Sequence, residues 1–389
     1  MSFKRYRGTA HRLRPPEETF ALVSPHLKGL GITRVADLTG LDRLDIPVYC
    51  AFTPDDPMLQ AAWGKGAAAT DAAVSACMEA VERRHILFSD SRERWATASA
   101  LQREGAAVIS PRRLQRFQEG VHFTEETPLA WLPAETPDPA DQEPAVYLPA
   151  AAVYPREPRV NLFSANGLAS GNCPEEAQLH ALFEIIERHG ISSCFDAKGR
   201  LGLKNDGVRR MDLSGCGVES VARLREHIHG AGADLVLLKP ESRIDGVHLF
   251  WAVIIDGDAP LPWIRVNMGY GAHLSPEVGA VRAITEAAQS RMAYLHGCRE
   301  DMGHKMRLPR PKVIEKTIRY FSSFSPETPW HALDDRSAAT LDEDLQGLMK
   351  RVVSAGFTRI YRVRIPCRIE GFAIVKLVVE GMALRHGLF

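Results

Sequence analysis

The sequence has no long apolar run. None of its 389 residues falls in a stretch of the roughly eighteen uninterrupted apolar residues that a membrane-spanning helix needs. The basic N-terminus MSFKRYRGTAHRLRPPEETF has no apolar core of signal-peptide length. The expectation is therefore a cytoplasmic protein without membrane attachment. Net charge is missing too: 48 Lys and Arg stand against 48 Asp and Glu, which removes the electrostatic argument for nucleic acid as a partner. The seven cysteines, Cys50, Cys77, Cys173, Cys194, Cys216, Cys298 and Cys367, are scattered without C-x-x-C or Cys/His ligand spacing. They read as reduced structural thiols rather than a zinc site. No Walker-type G-x-x-x-x-G-K-[ST] and no kinase motif set occurs, and the GKG at 64–66 is too short to count.

What remains is an ordinary globular composition, 45% hydrophobic and 25% charged, long enough for two or three domains or one large α/β enzyme. Residues 17–45 suggest one or two helices, followed by a strand at 46–53. WATASALQREGAAVISPRRLQRF (95–117) reads as surface helices and turns, and the Pro-rich, acidic stretch 134–145 as a mobile loop or insertion. AVYLPAAAVY and VNLFSANGLASG read as a strand and a loop. In that loop Gly167 and Gly171 can let backbone N–H groups approach a ligand. A helix at 216–231 precedes apolar strands DLVLLKP, HLFWAVIIDG and PWIRVNMGYG. A second helix, TLDEDLQGLMKRVVSAGF, precedes TRIYRVRIP and GFAIVKLVVEGM, which should complete the second half of the sheet. Helices alternating with apolar strands indicate a mixed α/β fold.

One helix pattern occurs three times. In GAAATDAAVSACMEAVERRH (66–85), Gly66 precedes Glu79, Glu82 and Arg83. In GNCPEEAQLHALFEIIERHG (171–190), Gly171 precedes Glu184, Glu187 and Arg188 at the same spacing. In GAHLSPEVGAVRAITEAAQSR (271–291), Gly271 precedes Glu286, Gln289 and Arg291 at a looser one. Each is a predicted amphipathic helix entered from a Gly-containing loop. Residues three or four apart share a face, which groups Ser75, Glu79, Glu82 and Arg83 on the first helix and Glu184, Glu187 and Arg188 on the second.

A single E-x-x-E-R reads as a solvated face with intrahelical ion pairs. Its recurrence points to a shared role. If the three faces converge, Glu79, Glu82, Glu184, Glu187 and Glu286 bring too much negative charge together to bury without cations. Carboxylate oxygens suit Mg²⁺, which usually takes phosphate oxygens as its other ligands. Arg83, Arg188, Arg291 and Lys65 are then partners for a polyphosphate. The residues point to a Mg–nucleotide site. His273, beside Gly271, could touch phosphate or substrate, or hydrogen-bond structurally.

These stretches resemble, in order and spacing, the three nucleotide-binding blocks of the YcaO family: GKGAAATDAAVSACMEAVERRH, SANGLASGNCPEEAQLHALFEIIERH and GYGAHLSPEVGAVRAITEAAQSR. LDIPVYCAFTPDD is similar to the strand ahead of the first block, and the resemblance spans about residues 40–305. It implies an α/β (α+β) mixed-sheet fold with three related motif helices converging on a nucleotide site. The expected organisation is an N-terminal segment 1–60, an ATP-binding core 61–310 and a C-terminal segment 311–389 completing the same domain. By motif, Lys65, Ser75, Arg83, Arg188, Gln289 and Arg291 carry over as nucleotide contacts. Glu79, Glu82, Glu184, Glu187 and Glu286 carry over as metal ligands, and no catalytic residue is assigned. Where the family's second block commonly continues with Asp, this chain has His189.

The resemblance implies ATP- and Mg²⁺-dependent activation of a peptide backbone amide. A nucleophile adds to the amide carbon, the oxygen takes the γ-phosphoryl group, and phosphate leaves. A substrate Cys, Ser or Thr side chain would yield an azoline, sulfide a thioamide, and an amine an amidine. The end MALRHGLF lacks the short Pro-rich tail of azoline-forming members, and no fused peptide-recognition or E1-like domain is evident. The chain therefore resembles stand-alone members that work with a TfuA-like partner to thioamidate a peptide or protein. The alternatives are an azoline-forming cyclodehydratase or an amidine-forming enzyme of the same family, a non-catalytic ATP- or peptide-binding regulator, and a Mg-dependent ligase or kinase for a small metabolite. A homodimer is possible.

Overall fold

The computed structural model describes residues 2–57, 59–88, 90–118, 120–136, 146–158, 160–195, 207–297, 311–382 and 384. The expected loop at 134–145 lies outside the described residues from 137 onward, as do Cys298 and the last five residues.

Among the described residues the helices are α1 (Pro16–Val23), α2 (Ala69–His85), α3 (Ala98–Arg103), α4 (Pro174–Ser193), α5 (Glu219–Gly230), α6 (Pro276–His296), α7 (Pro311–Ser322) and α8 (Leu341–Ser354). The strands begin with β1 (Tyr6–Arg7), β2 (His11–Arg12), β3 (Arg34–Asp37), β4 (Val48–Phe52), β5 (Ala61–Lys65) and β6 (Arg94–Ala96). They continue with β7 (Ala107–Val108), β8 (Leu129–Ala134), β9 (Val146–Pro149), β10 (Leu168–Gly171), β11 (Val208–Asp212) and β12 (Asp234–Pro240). The last are β13 (His248–Ile255), β14 (Val266–His273), β15 (Pro326–Pro329), β16 (Ile360–Ile365) and β17 (Ala373–Val379). Local chemistry sets several boundaries. Thr97 caps α3 by accepting a hydrogen bond from Ala100 N, and α6 opens with Pro276 in its first turn and stops at Gly297, whose φ is 67°.

The chain forms two compact units, each discontinuous in sequence. One holds residues 1–2, 82–189 and 341–389, the other 3–81 and 190–340. Two of these boundaries fall inside helices, α2 and α4.

The second unit contains a five-stranded sheet in the order β14-β13-β12-β11-β15, antiparallel except for the parallel β11–β15 pair. Strand β13 is buried at all eight positions, so its side chains feed two cores by simple alternation. Phe250, Ala252 and Ile254 pack with α5 and α6 through Val221, Leu224, Ile284 and Ala287. Trp251, Val253 and Ile255 pack on the other face with Ile191, Phe321 and Phe324. Each large apolar side chain buried in this way contributes about 1.5–3 kcal/mol relative to exposure. A three-stranded sheet β3-β4-β5 and the β1-β2 hairpin complete this unit.

The first unit holds a four-stranded sheet β6-β8-β9-β7 and a three-stranded sheet β10-β17-β16. Its core gathers Ala98, Leu101, Phe123, Leu129, Trp131 and Val160. The structure corrects the surface reading of 95–117. That stretch supplies β6, α3 and β7 and buries Leu101 completely. Strands of two or three residues have no readable period; they form because β8 and β9, distant in sequence, pair with them. Strands β16 and β17 likewise join β10 in a sheet of their own rather than extending the five-stranded one. The expected strand at 46–53 is β4, and β3, which pairs with it, was not anticipated.

No described helix is long and apolar enough to cross a membrane. The six described cysteines are free thiols.

Candidate nucleotide and metal site

The glycines of the three repeated blocks share a structural function. A Cβ on Gly64 of β5 would lie 2.1 Å from Ala76 N of α2, one on Gly171 of β10 2.5 Å from Ala177 N of α4, and one on Gly269 of β14 2.2 Å from Ala287 N of α6. Gly66 and Gly271 are just as closed, at 2.3 Å from Asp71 Cβ and 2.1 Å from Gly279 O. In each block a strand lies directly beneath the backbone of its helix, at a distance only glycine allows. Gly171 therefore serves helix packing rather than ligand approach. Gly167 differs: its φ is 79° and its N–H donates to Glu184 Oε1 at 3.3 Å.

In the second unit, Lys65 ends β5 and forms an ion pair with Glu286 of α6, both side chains less than a fifth exposed. Along α6 most of the helix is buried, and Arg282, Glu286 and Gln289 form a half-buried stripe at helical spacing. Ser75 and Glu79 are half-buried on α2, while Ala72, Ala76 and Ala80 are buried. Arg291 departs from the expectation. Its guanidinium is 3% exposed, lies 2.9 Å from Asp42 Oδ2 and 2.9 Å from Asp256 Oδ2, and donates to Ile264 O at 2.7 Å. Asp256 is itself fully buried and also pairs with Arg43 at 2.6 Å. Such a network holds loops together, which commits Arg291 to structure rather than to a nucleotide.

In the first unit, Glu82 Oε1 accepts hydrogen bonds from Ser170 N and Ser170 Oγ, each at 2.6 Å. Glu187 is 1% exposed and lies 3.6 Å from Arg188 Nε. Arg83 is half-buried at the end of α2. His189 is 7% exposed and meets Phe357 edge to face. An imidazole packed on an aromatic ring is a structural use of that position.

His273 also has a structural role. Its Nδ1 accepts the Ser275 N–H at 2.9 Å at the entrance to α6, and its ring meets His11 at 5.0 Å. Burial pushes its pKa well below the ordinary histidine value. Two further groups went unread in the sequence. Tyr6 and Thr9 of the N-terminal hairpin donate to Asp71 in the first turn of α2, at 3.3 and 3.1 Å. Lys376, 3% exposed on β17, donates to the carbonyls of Ser164 and Asn166. A lone lysine in the apolar run AIVKLVV was the available signal for the latter.

Among the described residues, no three His, Cys, Asp or Glu side chains stand together closely enough to hold a metal ion by themselves. The donor chemistry nevertheless fits Mg²⁺, because the candidate ligands are carboxylates without thiolate or imidazole. Mg²⁺ bound by one or two carboxylates and completed by phosphate oxygens needs no all-protein cage.

The strand–glycine–helix blocks define a mixed α/β class in which each repeated helix lies directly on a glycine-bearing strand. The family model for YcaO cyclodehydratases, described as ATP- and Mg²⁺-binding, matches residues 63–383. An uncharacterized protein in the tfuA 3′ region of Rhizobium leguminosarum bv. trifolii is 32% identical over 377 residues, covering 94% of this chain and 87% of the relative. An uncharacterized Methanothermobacter thermautotrophicus protein is also 32% identical, over 94% of each chain. The fold is similar to that of YcaO from Methanopyrus kandleri bound with AMPPCP and Mg²⁺, with a TM-score of 0.78 at 21% identity over 98% of this chain and 95% of that one. It is also similar to a heterocyclase in complex with substrate and cofactor, with a TM-score of 0.75 at 21% identity over 98% of this chain and 55% of that one. The chain belongs to the YcaO family of ATP- and Mg²⁺-binding proteins.

Proposed function

We propose that this protein uses Mg–ATP to activate a peptide or protein backbone amide and that sulfide then converts the amide to a thioamide, with a TfuA-like protein as partner. The observation that carries this reading is the identity of 32% over 94% of the chain to a protein from a tfuA region, joined to the family match. The overall change balances: amide, hydrosulfide and ATP give thioamide, ADP and phosphate. Hydrosulfide adds to the carbonyl carbon, the oxygen takes the γ-phosphoryl group, and the C–O bond breaks with phosphate as the leaving group.

In this reading Glu79, Glu82, Glu184, Glu187 and Glu286 are the candidate Mg²⁺ ligands. Lys65, Ser75, Arg83, Arg188 and Gln289 are the candidate nucleotide contacts. Bound Mg²⁺ offsets charge on the transferring phosphoryl group. The arginines supply planar donor forks to phosphate oxygens. The glycine-tight packing of helices on strands fixes these side chains on rigid elements, and burial of Glu187 keeps its carboxylate in a low-dielectric setting where a cation is held more strongly.

A second reading is ring-forming cyclodehydration, which the description of the matching family model favours. Intact-mass spectrometry separates the two. Candidate peptides encoded near the gene are incubated with the protein, its TfuA-like partner, Mg–ATP and sulfide. Oxygen-to-sulfur exchange adds about 16 Da and supports sulfide attack on the activated amide, while loss of about 18 Da supports cyclodehydration. No mass change and no ATP consumption would favour a binding-only role.

A further inference from the structure

Lys376 is the one charged residue of β17, opposite Leu168 of β10 and Val363 of β16 in the three-stranded sheet. Its side chain is turned inward at 3% exposure, and its Nζ donates to Ser164 O and Asn166 O, both at 2.6 Å. The next residue, Leu377, donates its N–H to Gly167 O at 2.8 Å. Two adjacent residues of β17 therefore hold three of the four carbonyls between 164 and 167.

Two donors of the same loop bond to residues outside β17. Gly167 N donates to Glu184 Oε1, and Asn166 Nδ2 to Gln115 Oε1 at 3.1 Å. Asn166 Oδ1 is buried and has no hydrogen-bond partner among the described residues. The conformation tolerates little change, since a Cβ on Gly167 would meet Leu377 O at 2.5 Å. A neighbouring cavity of about 40 Å³, lined in part by Gln115, Ser164, Asn166 and Lys376, is of water size and far too small for a nucleotide. Lys376 thus acts on the loop.

A buried ammonium is not what a β-strand needs. Burial lowers the Lys376 pKa to about 8, with Glu184 opposing that shift, so the charged form is held at an energetic cost. An apolar residue would pack the sheet without that cost but would leave the Ser164 and Asn166 carbonyls unsatisfied. The lysine is therefore explained by the loop it holds.

We propose that Lys376 is a positioning residue for the nucleotide site: by anchoring the Ser164 and Asn166 carbonyls, it holds the loop conformation in which the Gly167 N–H meets Glu184. This rests on the reading that the loop and α4 take part in nucleotide binding. The test combines calorimetric titration of the full chain with Mg–AMPPCP and hydrogen exchange of the peptide covering 160–172. Lys376→Met keeps the length of the side chain and removes its donors. The expected result is at least tenfold weaker Mg–AMPPCP binding and at least tenfold faster exchange in the loop, with exchange in α2 unchanged. Lys376→Gln retains donors on a shorter arm; it should fall between, and it decides the matter if the Met variant does not fold. A folded variant with wild-type affinity overturns the proposal, whether or not its loop exchanges faster, because the lysine would then be a structural peg only. Failure of both variants to fold also overturns it. A wild-type chain that binds no Mg–AMPPCP overturns the nucleotide reading and this proposal together, and that control keeps the two failures distinguishable.

Discussion

One carboxylate oxygen, Glu82 Oε1, accepts both the backbone N–H and the hydroxyl of Ser170, each at 2.6 Å. The acidic end of the first repeated helix is thereby pinned to the strand that leads into the second. Ser170→Ala removes the hydroxyl and leaves the amide bond in place. It should lower stability by about 1.5–3 kcal/mol, the usual worth of one hydrogen bond to a charged acceptor. Urea unfolding of the two chains measures this, and an unchanged midpoint would mean that the short Oγ contact contributes nothing.

Lys65 and Glu286 form a partly buried ion pair, 19% and 17% exposed. Lys65→Met, Glu286→Gln and the double variant should give a coupling energy of about 1 kcal/mol or more, because each single change strands a half-buried charge. Additive effects in the double-mutant cycle would show that the two groups do not depend on each other.

Arg291 and Glu187 are both buried but should behave in opposite ways. Arg291→Met leaves Asp42 and Asp256 without their shared cation and should destabilise the chain by about 3–5 kcal/mol, the cost of breaking a buried pair. The affinity of the folded fraction for Mg–AMPPCP should stay at the wild-type value. Glu187→Gln, like Glu79→Gln, should weaken Mg–AMPPCP at least tenfold while leaving thermal unfolding near wild type. Calorimetry and melting of the three variants together would expose a reversed pattern.

His11 predicts a loss of stability in acid. Its pKa is lowered from 6.5 to about 4, first by burial and then by the Lys4 ammonium, whose Nζ is 3.2 Å from His11 Nδ1; Arg7 and Arg12 act in the same direction and Asp335 against it. The folded-state value lies below the unfolded one, so the unfolded chain binds more protons between them. Stability therefore falls as pH drops from about 6.5 toward 4. His273, shifted the same way, adds to the effect. Unfolding free energies at pH 7 and pH 5 should differ less for His11→Asn than for the wild type.

Much of the architecture was legible because strong periodicity survives context. DLVLLKP and HLFWAVIIDG became β12 and β13, and the motif helices became α2, α4 and α6. The 95–117 stretch was misread, because strands as short as β7 carry no period of their own and depend on partners such as β9. In the candidate site, the repeated Glu and Arg positions were visible as a pattern, whereas the commitment of Arg291 to Asp42 and Asp256 was not. All three are charged residues that look solvent-exposed when read locally, and only packing brings them together.

The sequence by itself determined the family and the three helix faces, since fixed spacing along a helix dictates which side chains share a side. Tertiary structure alone decided what each charge does: Glu82 reaches Ser170, Lys65 reaches Glu286, His273 accepts the N–H that opens α6, and Lys376 turns inward to two carbonyls. The reason is physical. Chain spacing sets the direction in which a side chain leaves its helix or strand, but burial and the partner it meets, supplied by residues up to hundreds of positions away, decide whether its charge is spent on structure or kept for a ligand.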